Sequence, residues 1–295
     1  MVARQSSWIG ALGLIGLCTA CMPWSASNAA ENNPPERIVS MNLCTDQLLM
    51  LVAAPEQVRA LSHLASDDTL AVMSEEAAKY PVNHGRAEEI YLMKPDLILA
   101  GTFTRHTSIN LLRELGIRVE QFSPVRSLDE IPANLRKLGA IIGREEAAER
   151  LVEAFENELA LAKESARTNK VPAAVYYANS YTSGDRTLMN EVMSAAGLEN
   201  IAKRLNLSGT KGLPLELLVM EAPEVLITAR EMVHPPALAH EVLRHPALYN
   251  TIHSQGEVAI DSKYTICGLP SVNVAVEMLR IAGDRVARTP EEKQQ

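Results

Sequence analysis

Two distant stretches of the chain follow one pattern. Residues 88–100 read EEIYLMKPDLILA and residues 216–228 read ELLVMEAPEVLIT. Each runs from an acid through an apolar segment to a proline, then to a second acid and a short apolar run. Glu88 stands seven residues before Pro95, and Glu216 stands seven before Pro223. An apolar run of this length after a proline turn is a buried strand, and the segment before the proline is a helix that delivers the chain to it. One helix–turn–strand unit in each half constrains the fold strongly. It predicts two similar α/β lobes, with an acid at an equivalent place on each.

The rest of the chain fits that frame. In the first half, RIVSMN (37–42), QVRALS (57–62), PDLILAG (95–101) and IRVEQFS (117–123) read as strands. Between them lie a helix capped by Thr45 or Asp46, a helix over 87–93 and a helix over 108–116 closed by Gly116. Strands alternating with helices form a parallel sheet. A helix over 128–142 then gives way at Gly143 to a long helix over 144–168, with Leu151, Phe155, Leu159 and Ala162 on one apolar face. At ~1.5 Å per residue this second helix would approach 40 Å, long enough to join two lobes as a strut. The alternation restarts with AAVYYAN (173–179), a helix over 188–197, the second repeated unit, a helix in PALAHEVLRHPAL, the strand EVAID (257–261) and a last helix over 271–287. The predicted fold class is α/β: two Rossmann-like lobes with parallel sheets, joined by one long rigid helix. The boundaries follow as a lead-in over 30–36 expected to be disordered, a first lobe over 37–141, the joining helix over 142–168, a second lobe over 169–288 and a tail over 289–295.

Residues 1–29 read as a secretory signal peptide. Arg4 precedes an uncharged apolar run from Trp8 to Leu17, and small residues lead to a cleavage site near Ala29. The run is too short to span a ~30 Å bilayer core. Cys21 fits a lipid-attachment site less well, because Cys18 stands where leucine is usual. A formal net charge of −8 without a Lys/Arg cluster argues against nucleic acid or an anionic membrane surface as partner. No G-x-S-x-G elbow, H-E-x-x-H motif or phosphate loop is present, so an enzyme is not expected. The seven histidines are scattered, so no bare metal site and no intrinsic cofactor are expected.

In order, RIVSMNLCTDQLL, AEEIYLMKPDLIL, LLRELGIRV, the long helix, TLMNEVMSAAGLENIA and LELLVMEAPEVLIT resemble the periplasmic substrate-binding proteins of ABC importers for ferric siderophores, haem and vitamin B12. The resemblance spans about residues 36–285. It implies a monomer in the periplasm with a cleft between two lobes, the class III periplasmic-binding fold. It implies capture of an iron(III) chelate, with cobalamin or haem as alternatives, and delivery to a permease dimer in the inner membrane. It also implies that Glu88 and Glu216 dock onto that dimer. A non-transport sensor built on the same shell is the reading from another class.

Ligands of parallel α/β lobes bind outside the carboxyl ends of the strands. The loops there carry the candidate contacts Leu43, Cys44, His84, Arg86, Arg105, Tyr177, Tyr181, Arg230, Lys263, Tyr264 and Cys267. Cations suit an anionic chelate and phenol rings suit its organic body. Only Cys44 and Cys267 remain after cleavage at Ala29. The resemblance places both in the cleft, from opposite lobes. Free thiols, an inter-lobe disulfide, and contact with a ligand or soft metal are all open to them.

Overall fold

The computed structural model describes residues 33–229, 245–246 and 256–287. The signal segment, Arg230, the helix expected in PALAHEVLRHPAL and the tail lie outside the described residues.

Five parallel strands form the sheet of the first lobe: β1 (Ile38–Ser40), β2 (Val58–Ser62), β3 (Val82–Asn83), β4 (Leu97–Gly101) and β5 (Arg118–Phe122). Their order is β3-β2-β1-β4-β5. Helices α1 (Leu43–Val52), α2 (Ser74–Ala77), α3 (Ala87–Leu92) and α4 (His106–Glu114) connect them. All five residues of β4 are buried, as a central strand covered on both faces requires. The two-residue β3 is too short to leave a period in the sequence, and the expected strand list lacks it.

Helix α5 (Glu130–Ile142) ends at Gly143, whose φ of 67° supplies the left-handed cap. Helix α6 (Glu145–Glu164) follows. It is shorter than expected, about 30 Å at ~1.5 Å per residue, because it stops at Ser165 before Thr168 and Asn169. Ala148, Val152, Phe155 and Leu159 form its buried face. That face packs on α5 of the first lobe and on α10 (Val272–Ala287) of the second. Asn273 on α10 donates its amide to the Phe155 carbonyl at 3.2 Å and to Glu158 at 3.1 Å. One continuous apolar core runs from Ile38 through Phe155 to Val276. The joining helix is therefore packed on both lobes rather than strung between them.

The second lobe holds a parallel sheet of order β11-β10-β6-β8, with β6 (Val171–Val175), β8 (Leu198–Asn200), β10 (Val225–Ala229) and β11 (Glu257–Ile260). Its order matches β2-β1-β4-β5 of the first lobe read in reverse. Helices α7 (Leu188–Ala195), α8 (Ile201–Arg204) and α9 (Leu215–Glu221) belong to it. An antiparallel pair, β7 (Tyr181–Ser183) with β9 (Thr210–Gly212), has no counterpart in the first lobe. The repeated units occupy equivalent places: α3 feeds β4 and α9 feeds β10. Both turns carry a residue of positive φ just before the proline, Lys94 at 51° and Ala222 at 43°.

Two local expectations change. Asn42, not Thr45 or Asp46, caps α1, its side chain accepting the Cys44 N–H at 3.0 Å. The helix starts at Leu43, so Thr45 and Asp46 lie inside its first turn. The lead-in is also tied down at its end. Pro34 packs over Gly143, and the Pro35 carbonyl accepts from Gln57 at 2.9 Å.

Candidate functional site

The carboxyl ends of both parallel sheets point to the region where the lobes meet. Asn42, Cys44 and Thr45 come there from the start of α1, and Gly101–Phe103 from the end of β4. Ile266–Leu269 come from the second lobe. With Phe122–Val125, Leu48 and Asn134 they enclose a cavity of about 150 Å³. Small-molecule pockets are commonly ~300–1,000 Å³, so this space admits a side group of a ligand but not a whole chelate. Its wall is mostly apolar, and Phe103 at its edge is 82% exposed.

Cys44 and Cys267 line this cavity, and their sulfurs are bonded, with Cα atoms 5.2 Å apart. The bond joins the two lobes directly. Beside it the Gly268 backbone comes very close to the Val125 side chain: a Cβ placed on Gly268 would lie 2.2 Å from Cβ of Val125. Only glycine permits that approach between the lobes.

The other candidates are spread around the cavity rather than within it. Leu43 is buried in the first lobe's core. His84 follows β3 and is exposed, its backbone N–H bound to Glu89 at 2.9 Å and its Nδ1 3.3 Å from the same carboxylate. Arg86 and Arg105 are exposed at the starts of α3 and α4. Tyr177 is half-buried against the core, and burial pushes its phenol above the usual range, so the ring stays neutral. Tyr181 is 47% exposed at the start of β7. Lys263 places Nζ 5.7 Å from the ring centre of half-buried Tyr264.

Phe122–Val125 were missing from the sequence-derived candidates. The signal was present, because the strand IRVEQFS ends on the same side as the others. His63 was missing as well. It follows β2 directly, and its ring stacks on His84 with centroids 5.6 Å apart. Among the described residues no group of three or more His, Cys, Asp or Glu side chains could hold a bare metal ion.

Asp46 is fully buried in the first turn of α1, next in sequence to cavity-lining Thr45. Ser62 donates to it from its backbone at 3.1 Å and from its hydroxyl at 2.5 Å. Burial outweighs these bonds and raises its carboxyl to about 6.

Glu88 and Glu216 are exposed, and each is the second residue of its helix, α3 or α9. No charged partner of either is found among the described residues.

A family model described as "Periplasmic binding protein" matches residues 38–252. A cobalamin-binding protein of Halobacterium salinarum is 28% identical over 209 residues, which cover 69% of this chain and 57% of that one. An uncharacterized ABC transporter substrate-binding lipoprotein of Bacillus subtilis is 24% identical over 204 residues, 66% of this chain and 63% of that one. The chain thus spans about three-fifths of the length of these relatives. Among solved structures, a periplasmic haem-binding protein of Roseiflexus sp. superposes with a TM-score of 0.72 at 22% identity, covering 86% of this chain and 99% of that one.

Proposed function

The chain belongs to the periplasmic binding protein family, and on that premise we propose that it captures a metal–organic complex between its lobes and delivers it to an ABC permease dimer in the inner membrane. The observation that carries this reading is the pairing of a two-lobed cleft with Glu88 and Glu216, exposed at equivalent helix positions. A binder that must meet a two-fold permease needs one contact on each lobe. Rim charges of this kind set register and association rate more than affinity. The protein works in the periplasm, reached through its signal segment, as a transport receptor rather than an enzyme.

A ferric siderophore-type complex is the first ligand class. The exposed cations Arg86 and Arg105 at the strand ends suit its negative charge. Cobalamin or haem is the second, favoured by the stacked His63 and His84 rings, which offer imidazole nitrogens to a metal with a free axial position. In either case the small inner cavity takes a side group, and the body of the complex sits outside it on the strand-end loops.

A thermal-shift panel of ferric hydroxamates, ferric catecholates, ferric citrate, haem and cobalamin tests the reading. A ligand at a hundred times its Kd adds about 2.7 kcal/mol, a readable rise for a chain of this size. A shift with one complex and none with its metal-free form supports the assignment. No shift with any member, before or after reduction of the disulfide, overturns it.

A further inference from the structure

A second inter-lobe cavity, of about 380 Å³, adjoins the first through Val125. Its wall differs in character. Arg126 enters from the first lobe, just after the cavity-lining segment that follows β5. Arg186, Thr187, Ser208 and Thr210 face it from the second. Among the described residues no aspartate or glutamate lines it.

Neither guanidinium has a carboxylate within salt-bridge distance among the described residues. Two neighbouring acids bond groups other than the two guanidiniums. Asp185 pairs with Lys203 at 3.1 Å, and Glu130 accepts the backbone N–H of Arg126 at 2.8 Å. Arg186 spends only its Nε–H, on Ser208 Oγ at 2.9 Å, leaving the terminal donors of its fork free. Its φ of 58° is unusual for a side chain of this size.

Arginine cannot relieve repulsion by losing its proton. Two such charges at one cavity, one from each lobe, oppose the lobes' approach. On a chain of net charge −8 this spot is an exception. An anion between them reverses the sign, since each fork can grip a carboxylate or phosphate through two parallel bonds.

We infer that Arg126 and Arg186 form a subsite for a carboxylate or phosphate group carried by the bound complex, clasped from both lobes. The inference rests on the proposed capture of a metal complex in this cleft. It narrows the ligand to complexes bearing such a group: haem propionates, the phosphodiester of cobalamin, or the free carboxylate of a siderophore-type chelate.

The test compares matched pairs: haem with its dimethyl ester, cobalamin with cobinamide, and ferric citrate with a neutral ferric hydroxamate. Kd is measured by calorimetry for the wild type, R126Q/R186Q and R126K/R186K. Whichever pair binds, the wild type should favour the anionic member, and R126Q/R186Q should weaken that member about tenfold or more. The same variant should leave the anion-free partner unchanged. R126K/R186K, which keeps the charges, should recover part of the loss. Ligand-free melting of R126Q/R186Q should match or exceed the wild type, because the variant removes a repulsion. Equal affinity of wild type and R126Q/R186Q for an anionic complex overturns the subsite while leaving capture intact. Failure of the wild type to bind any member overturns the capture reading, and the subsite with it.

Discussion

Cys44, in the first turn of α1, and Cys267, before α10, are bonded across the lobe boundary and separated by 223 residues of chain. They form part of the wall of the inner cavity. Beside them Gly268 is pressed against Val125. The lobes are joined to each other by one covalent bond, by the contact of Gly268 with the Val125 side chain and by the packed helix α6.

Reduction, or Cys44→Ser, should lower stability without unfolding the protein. In the loop-entropy model a cross-link closing so long a loop contributes roughly 5 kcal/mol, and measured values are usually 2–4. Urea unfolding with and without a thiol reductant reads the difference. Coincident curves, with two free thiols titrated in the unreduced protein, would show that the bond is not formed in solution.

Gly268→Ala should destabilise by about 1–3 kcal/mol, the usual cost of overpacking. The added methyl meets Val125 Cβ at 2.2 Å and its two γ-carbons at 2.3 and 2.5 Å. Val125→Ala removes the γ-carbons, so the double variant should recover part of the loss. Denaturant midpoints of the four proteins give the coupling. An additive pair of effects would place the strain elsewhere.

Asp46 should make the protein more stable in mild acid than at neutral pH. Its carboxyl rises from 3.8 to about 6 on folding, chiefly through burial. The folded state therefore holds the proton more tightly between those values, and stability falls as pH rises through that window. A two-unit shift corresponds to roughly 3 kcal/mol. Asp46→Asn should flatten the dependence between pH 4 and 6, in unfolding titrations at fixed ionic strength. An unchanged slope would assign the proton to another group.

Glu88→Lys with Glu216→Lys should abolish uptake while leaving ligand affinity unchanged, because both side chains lie on exposed helix surfaces away from the cavity. Leu92 and Met220, one turn further along, are 77% and 79% exposed, so nothing among the described residues covers these faces. Each single reversal should slow association with the permease about tenfold at low salt, with less effect at high salt. Uptake into vesicles holding the permease and its ATPase measures this. Normal uptake by the double variant would sink the docking assignment.

Most of the fold was legible because its signals are local. The apolar runs of β4 and β10, the prolines before them and the periodic face of α6 each report on a short stretch of chain. Short elements escaped for the same reason. β3 and β8 have two and three residues and are held by their neighbours in the sheet, not by their own pattern. Phe122–Val125 escaped although strand topology pointed to them. Arg126 and Arg186 carried no signal, since an isolated arginine in a loop resembles any other.

The sequence by itself determined that the chain is doubled, that its strands run parallel and that an acid stands at the same place in each half, because periodicity and turn chemistry act over a few residues. Only the tertiary structure decided that Cys44 meets Cys267, that Asp46 loses its water, and that two arginines from different lobes share one cavity with no acid among its described lining residues. Each of these depends on residues brought together from distant parts of the chain, and on which side chains water is excluded from once the lobes pack on α6.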